Sequence, residues 1–253
     1  MGSNKKLRSL SVDVVYNMDC LDGMESLPCQ SVDMILCDLP YGTTQCKWDV
    51  IIPFVELWAQ YKRIIKDNGA IVLTSAQPFT SLLIASNIEL FKYSWVWEKS
   101  KATGYLNSKK RPLVAHEDVL VFAKKQTKYN PQMVQGNPYY KGSAYRPTDV
   151  YGKQKEILVE NKSGLRYPRT VQYFKTAESE GKVYHSTQKP LSLFEYLIKT
   201  YTDEGDIVLD NCMGSGTTAL ACMNTNRHYI GYEKDKKYFN IINQRIAELS
   251  KIK

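Results

Sequence analysis

Val208-Leu209-Asp210-Asn211-Cys212-Met213-Gly214-Ser215-Gly216-Thr217-Thr218 reads as the end of a buried strand, a glycine-rich turn and the start of a helix. A turn of this kind lets backbone approach a ligand closely at the carboxyl edge of a sheet. Alone, the G-x-G also suits any tight strand-to-helix turn. Glu233 sharpens the reading. It ends the next apolar run, Tyr229-Ile230-Gly231-Tyr232, and lies 17 residues beyond Gly216. An acid there is placed to bind both hydroxyls of a ribose. The third glycine of the dinucleotide spacing is missing, and so is the Gly-Lys-Ser/Thr of a phosphate loop. A ribose-bearing ligand without a pyrophosphate therefore fits better than NAD or ATP.

Outward from this turn the chain alternates strands and helices. Leu191–Tyr201 is expected to be a helix before the turn, Thr217–Asn224 one after it, and a last helix starts at Asp235. Towards the N-terminus the expected strands are Ser11–Tyr16, Val32–Asp38, Ala70–Thr74, Lys92–Glu98 and Asp118–Ala123. A helix from Pro53 to about Lys66 carries an apolar stripe of Phe54, Leu57, Trp58, Tyr61 and Ile65, and Phe79–Asn87 forms another. Continuous apolar strands alternating with helices imply an α/β fold with a largely parallel sheet. From Lys124 to about Tyr184 the periodicity disappears, and Gly, Pro, Asn, Tyr and Lys dominate. So long an irregular stretch rich in aromatics points to a functional insertion.

The 253 residues carry a net charge of +8, and the charge is uneven. Between Lys99 and Lys175 there are 16 Lys and Arg against 5 Asp and Glu, with 8 of the 18 tyrosines; the rest of the chain is net acidic. A basic, tyrosine-rich segment suits phosphate contacts and base stacking, and equally a solvated loop. The six cysteines form no C-x-x-C pair and stand beside no histidine cluster, so no metal site is expected and free thiols are the default. No signal peptide and no apolar run of membrane-spanning length is read, and an intracellular protein is expected.

The second informative stretch is Val32-Asp33-Met34-Ile35-Leu36-Cys37-Asp38-Leu39-Pro40-Tyr41-Gly42. A strand ending in an acid, then X-Pro-aromatic, resembles the motif placed under the target base by enzymes that methylate an exocyclic amino group. With the glycine turn and Glu233, nearly all of the chain outside residues 124–184 resembles the amino-methylating DNA methyltransferases, which act on adenine N6 or cytosine N4. The order here, catalytic motif, basic insertion, then cofactor motif, matches the circularly permuted β group.

The resemblance implies a Rossmann-like methyltransferase fold with a seven-stranded, mostly parallel sheet. Residues 8–123 would form the catalytic part, 124–184 the target-recognition region and 185–253 the cofactor-binding part. It places Asp38 and Gly214 at the carboxyl ends of adjacent strands. The implied cofactor is S-adenosyl-L-methionine, contacted by Asp19, Cys20, Asp38, Thr187, Lys189, Asp210, Met213, Gly214, Ser215, Gly216, Thr217, Thr218 and Glu233. Asp19 would accept from the cofactor's adenine amino group, Thr187 and Lys189 would lie near its methionine carboxylate, and Met213 would pack against its adenine. Asp38, Leu39, Pro40 and Tyr41 form the implied catalytic motif. An amino nitrogen conjugated with its ring is a poor nucleophile; the Asp38 carboxylate and the Leu39 carbonyl, accepting its N–H bonds, localise its lone pair toward the methyl donor. Tyr41 stacks on the flipped base.

In the β group Asp at position 38 goes with adenine more often and Ser with cytosine N4, so the implied reaction is direct SN2 methylation of adenine N6 in double-stranded DNA, as in restriction-modification. The alternatives are cytosine N4 and a non-catalytic DNA-binding subunit. Lys109, Lys110, Arg111, Lys124, Lys125 and Arg146 are phosphate candidates, and Arg166 and Arg169 are candidates for guanine or phosphate. A homodimer is plausible for the group, and the expected compartment is the cytoplasm of a prokaryotic or phage-infected cell.

The sequence departs from the pattern at Leu39, where the family has proline, and at Asn211-Cys212-Met213, where it usually has a proline and a phenylalanine. Pro28-Cys29-Gln30 imitates the motif of cytosine-C5 methyltransferases, but it precedes the catalytic strand and no Glu-Asn-Val accompanies it, so Cys29 is read as a turn residue.

Overall fold

The structure, a computed structural model, describes residues 11–46, 48–141, 152, 159–185 and 187–251. They divide into two compact units, residues 131–169 and the remainder.

The larger unit opens with β1 (Val14–Tyr16), α1 (Cys20–Glu25), β2 (Val32–Asp38), α2 (Phe54–Ile64), β3 (Ile65–Ser75) and α3 (Phe79–Ser86). A long hairpin follows, β4 (Phe91–Thr103) and β5 (Val114–Phe122). The smaller unit holds β6 (Val134–Gln135), β7 (Tyr139–Lys141), β8 (Val159–Asn161) and β9 (Leu165–Arg166), paired antiparallel as β6 with β9 and β7 with β8. The chain then returns through β10 (Val171–Phe174), α4 (Leu191–Tyr201), β11 (Ile207–Asp210), α5 (Thr217–Asn224), β12 (His228–Tyr232) and α6 (Lys236–Ser250).

The sheet runs β1-β12-β11-β2-β3-β5-β4-β10, and within it only β5 is reversed. It has eight strands rather than the expected seven. The added one, Val171-Gln172-Tyr173-Phe174, lies in the stretch read as irregular; it pairs parallel with β4, and the Trp97 indole donates to the Phe174 carbonyl at 3.0 Å. Four residues with an exposed, half-buried, exposed, half-buried pattern are too short a run to stand out in sequence.

Alternate residues of each strand feed opposite layers, as a pleated sheet requires. Met34, Leu36, Val72 and Val208 pack with Leu193, Phe194 and Leu197 of α4. Ile35, Cys37, Ile71, Leu73 and Leu209 pack with Leu57, Trp58 and Tyr61 of α2 and Phe79 of α3. Helices on both faces explain why β2 and β3 read as unbroken apolar runs. Parallel β11 and β2 are neighbours, with Leu209 level with Ile35, so their carboxyl ends open side by side. That edge, at the point where strand order reverses, is where ligands bind in folds of this class.

Candidate active site

Asp38 ends β2 on this edge, and three donors converge on it. Its Oδ1 accepts from the Tyr41 hydroxyl at 2.9 Å and from Thr74 Oγ1 at 2.5 Å, and its Oδ2 from Lys189 Nζ at 2.6 Å. Thr74 lies directly across from Asp38 on β3. The Tyr41 ring stacks on Phe79 with centroids 5.0 Å apart. Burial, reinforced by the negative charges of Asp38 and Glu117, keeps the Tyr41 phenol well above its ordinary pKa, so it remains a donor. Leu39 is buried in the core, which anchors the backbone whose carbonyl the sequence reading uses.

The chain after Tyr41 is clamped by a residue the sequence did not flag. The buried Asp49 carboxylate accepts from the backbone N–H groups of Gly42, Thr43 and Thr44 at 2.8, 2.9 and 2.7 Å. Against the cost of burial, these bonds hold its pKa below the usual carboxylate range. Gly42 at φ +67° makes the turn that aims those N–H groups inward.

Lys189, expected near the cofactor's methionine carboxylate, is buried with its ammonium bound to Asp38. On its other side Glu117 Oε2 lies 3.5 Å away, buried and taking no hydrogen bond, while Glu117 Oε1 meets Lys99 Nζ at 2.6 Å. Signs thus alternate from Asp38 through Lys189 and Glu117 to Lys99. Burial opposes the Lys189 charge, but the two carboxylates together raise its pKa above that of an ordinary lysine.

The glycine turn sits beside this cluster. Gly214 (φ +54°) and Gly216 (φ +86°) both need the left-handed region. A Cβ built on Gly214 would meet only the Cys212 carbonyl, at 4.0 Å, so its face is open to a close ligand; one on Gly216 would press on Ile242 at 3.0 Å. Glu233 follows β12 and is oriented by two backbone donors, Gly214 N–H and Asp235 N–H, each at 2.8 Å. Among the described residues no cation pairs with it, and burial raises its pKa to about 7. A carboxylate with its remaining lone pairs free beside an open glycine backbone is a donor-seeking site that fits a ribose diol.

Other expected cofactor residues play different parts. Asp210 is buried and spends both oxygens on the turn, accepting from Cys212 N–H at 3.0 Å and from the Thr218 hydroxyl; burial raises it to about 6. Met213 is buried, with its thioether packed over Gly231. Asp19 caps α1 by accepting from Leu21 N–H at 3.0 Å and holds Lys234 at 3.0 Å. Cys20, the first residue of α1, is half-buried against the core, as is Cys212, and burial pushes the neighbouring Cys37 up to about 12, so that group stays a thiol. The Thr187 hydroxyl lies 3.0 Å from His185 Nδ1, and the Ser215 hydroxyl donates to Gln188 Oε1 at 3.0 Å. Gln188, also missed in the sequence, ties the segment before α4 to the glycine turn. The Thr217 hydroxyl donates to the Lys189 carbonyl at 3.4 Å.

Lys109, Lys110 and Arg111 are exposed at the tip of the β4–β5 hairpin, on the Asp38 edge. Lys124 and Lys125 follow β5 at the opposite edge, where both pair with Asp67, at 3.7 and 2.7 Å. Five residues of strand, roughly 16 Å, separate Lys124 from the Asp38 row, because β5 runs against its neighbours. Within the smaller unit the Arg166 guanidinium stacks over Tyr139, 4.6 Å from the ring centroid, and donates to the Asn137 carbonyl at 2.9 Å. Arg169 ends that unit, and Arg146 lies outside the described residues. Cys29 precedes β2, about 20 Å of strand from Asp38, which leaves it no part in this site. Among the described residues no cluster of His, Cys, Asp or Glu suits a metal ion, and no helix is long and apolar enough to cross a membrane.

Comparison with known proteins adds the last observation. Residues 32–244 match the N6/N4 methyltransferase family, described as DNA methylase, and so span both Asp38 and the glycine turn. The chain belongs to this DNA methylase family. Type II methyltransferase M.HindIII of Haemophilus influenzae is 25% identical over 93% of the chain and 96% of its own length. Type II methyltransferase M1.MboII of Moraxella bovis is 26% identical over 95% and 98%. The crystal structure of the M1.HpyAVI–SAM complex superposes with a TM-score of 0.61 at 27% identity, over 91% of this methylase and 98% of that chain. The cytosine-N4-specific PvuII DNA methyltransferase shares the fold, with a TM-score of 0.66 at 17% identity over 92% of this chain and 85% of its own.

Proposed function

We propose that this DNA methylase transfers a methyl group to adenine N6 at a specific site in double-stranded DNA, inside a bacterial cell. S-adenosyl-L-methionine is the cofactor; bound, it supplies a methyl activated on a sulfonium for direct displacement. Glu233 and the Gly214–Gly216 backbone fit its ribose and its close approach. The single observation that carries the reading is Asp38: an acid closes β2, next to the glycine turn on the adjacent strand, at the head of the run Asp38-Leu39-Pro40-Tyr41.

The chain's own groups then have defined tasks. Asp38 and the Leu39 carbonyl accept the two protons of the target amino group, which keeps its lone pair on nitrogen. The Lys189 ammonium, 2.6 Å from Asp38 Oδ2, holds that carboxyl group in place. Thr74 and Lys189 fix its orientation from two sides. For the base to reach Asp38 Oδ1, the Tyr41 hydroxyl releases that oxygen and the ring turns to stack on the base; Phe79 supports its other face. The surplus proton of the methylated nitrogen leaves through Asp38 or to water.

The deciding experiment incubates unmethylated genomic DNA with protein and labelled donor, then digests it to nucleosides. N6-methyladenine in one sequence context is expected. N4-methylcytosine would overturn the choice of base, and a labelled C5 position would overturn the amino-group chemistry.

Glu233 supplies a second test. Its carboxyl is raised above its ordinary value, so the proton leaves only as pH rises through about 7, and the diol prefers the ionised form. Donor affinity measured by calorimetry therefore rises about tenfold from pH 6 to pH 8. Glu233→Gln abolishes the rise; a flat profile in the unaltered protein counts against the ribose role.

A further inference from the structure

The β4–β5 hairpin carries a feature that the methylase chemistry does not use. Between Thr103 and Val114 the chain makes a short helical turn, Tyr105–Asn107, entered through Gly104 at φ +89°. Backbone bonds from Asn107 to Gly104, Ser108 to Tyr105, and Lys110 and Arg111 to Asn107 brace it at 2.8 to 3.0 Å. On this braced turn Leu106 is 96% exposed and Tyr105 81%. No other large apolar residue described is as exposed as Leu106. Lys109, Lys110 and Arg111 follow at once, exposed and without an ion pair among the described residues.

Topology fixes where this tip stands. One register row crosses the sheet through Asp38, Thr74, Val119 and Trp95. β4 runs parallel to β2, so its carboxyl end leaves the sheet on the Asp38 edge. From the Trp95 row the hairpin continues for five residues on β5 and eight on β4, roughly 15–25 Å, about 14 Å to the side of Asp38. That reach compares with the width of a duplex whose base is delivered to Asp38.

We propose that Leu106, with Tyr105 beside it, is a wedge that enters the duplex at the target step and fills the stack vacated by the extruded base, while Lys109, Lys110 and Arg111 hold the flanking phosphates. A rigid apolar tip flanked by free cations is the chemistry of base-step insertion: the cations meet the backbone and the leucine meets the hydrophobic gap between bases. The inference rests on the DNA-methylating reading above.

The test measures methyl transfer by Leu106→Ala on two duplexes bearing the mapped site, one fully paired and one with the target base mismatched. Unpairing removes most of the work of extrusion, so a wedge matters only on the paired duplex. The expected result is about a tenfold loss of kcat/KM on the paired duplex and near-parity with the unaltered protein on the mismatched one. Cofactor affinity and the salt dependence of DNA binding stay unchanged, since no charge is removed. Equal losses on both duplexes, or no loss on either, would overturn the wedge. Failure of the underlying reading looks different: the unaltered protein would then methylate neither duplex.

Discussion

Asp38→Ala lowers kcat for methyl transfer by about 10³-fold while donor and DNA affinities change little. The carboxylate is asked to accept a proton-bearing amino group and to hold its lone pair toward the donor, work that matters in the transition state and hardly at all in binding. Asp38→Asn is the sharper variant. It keeps the shape and one carbonyl acceptor for Thr74 and Tyr41, but it aims an amide at Lys189 and cannot take a proton. Single-turnover measurements with labelled donor separate the chemical step from product release. Turnover within threefold of the unaltered protein in either variant would remove Asp38 from its assigned role.

The second large effect comes from Lys189. Lys189→Met leaves Glu117 Oε2 buried beside a methionine and strips Asp38 of the cation that pairs with it. Removing one member of a buried ion pair costs about 3–5 kcal/mol, which for a chain of this size lowers Tm by on the order of 10 °C. Activity falls with it, because Asp38 loses one of the two groups that aim it. Adding Asp38→Asn to Lys189→Met recovers part of the Tm, since the unpaired charge at Asp38 is gone; the recovery measures the coupling. Had Lys189 served only a cofactor carboxylate, as the sequence suggested, its loss would raise the KM for the donor and leave Tm of the cofactor-free protein unchanged.

These two residues also show what a sequence yields. Asp38 was legible because its whole context is local: an apolar run, an acid, then X-Pro-Tyr. The glycine turn and Glu233 were legible for the same reason, since a strand, a turn and a helix N-terminus are written in consecutive residues. Even the adjacency of β2 and β11 followed, although only from the family resemblance and the need to bring donor and acceptor together. What stayed hidden is long-range. Thr74 reaches Asp38 across a strand pairing, and Glu117 reaches Lys189 from the reversed strand β5. The distance of Lys124 and Lys125 from Lys109–Arg111 was also hidden, because composition groups charges by position in the chain, while the reversed direction of β5 carries these two to the far edge. The packing of Met213 over Gly231 was equally hidden, because Gly231 belongs to another strand. Asp49 and Gln188 are single polar residues whose purpose exists only once the loops they brace have closed.

Catalysis here requires that Asp38 and the glycine turn line one cleft in which an amino group meets a methyl donor. A crystal structure of the protein with a non-transferable donor analogue and duplex DNA tests it directly. The expected result puts the target amino nitrogen within hydrogen-bonding reach of both the Asp38 carboxylate and the Leu39 carbonyl, about 3–3.5 Å from the position of the methyl carbon, with the analogue's ribose on Glu233. An extruded base seated away from Asp38, or an analogue bound clear of Gly214 and Glu233, would contradict it.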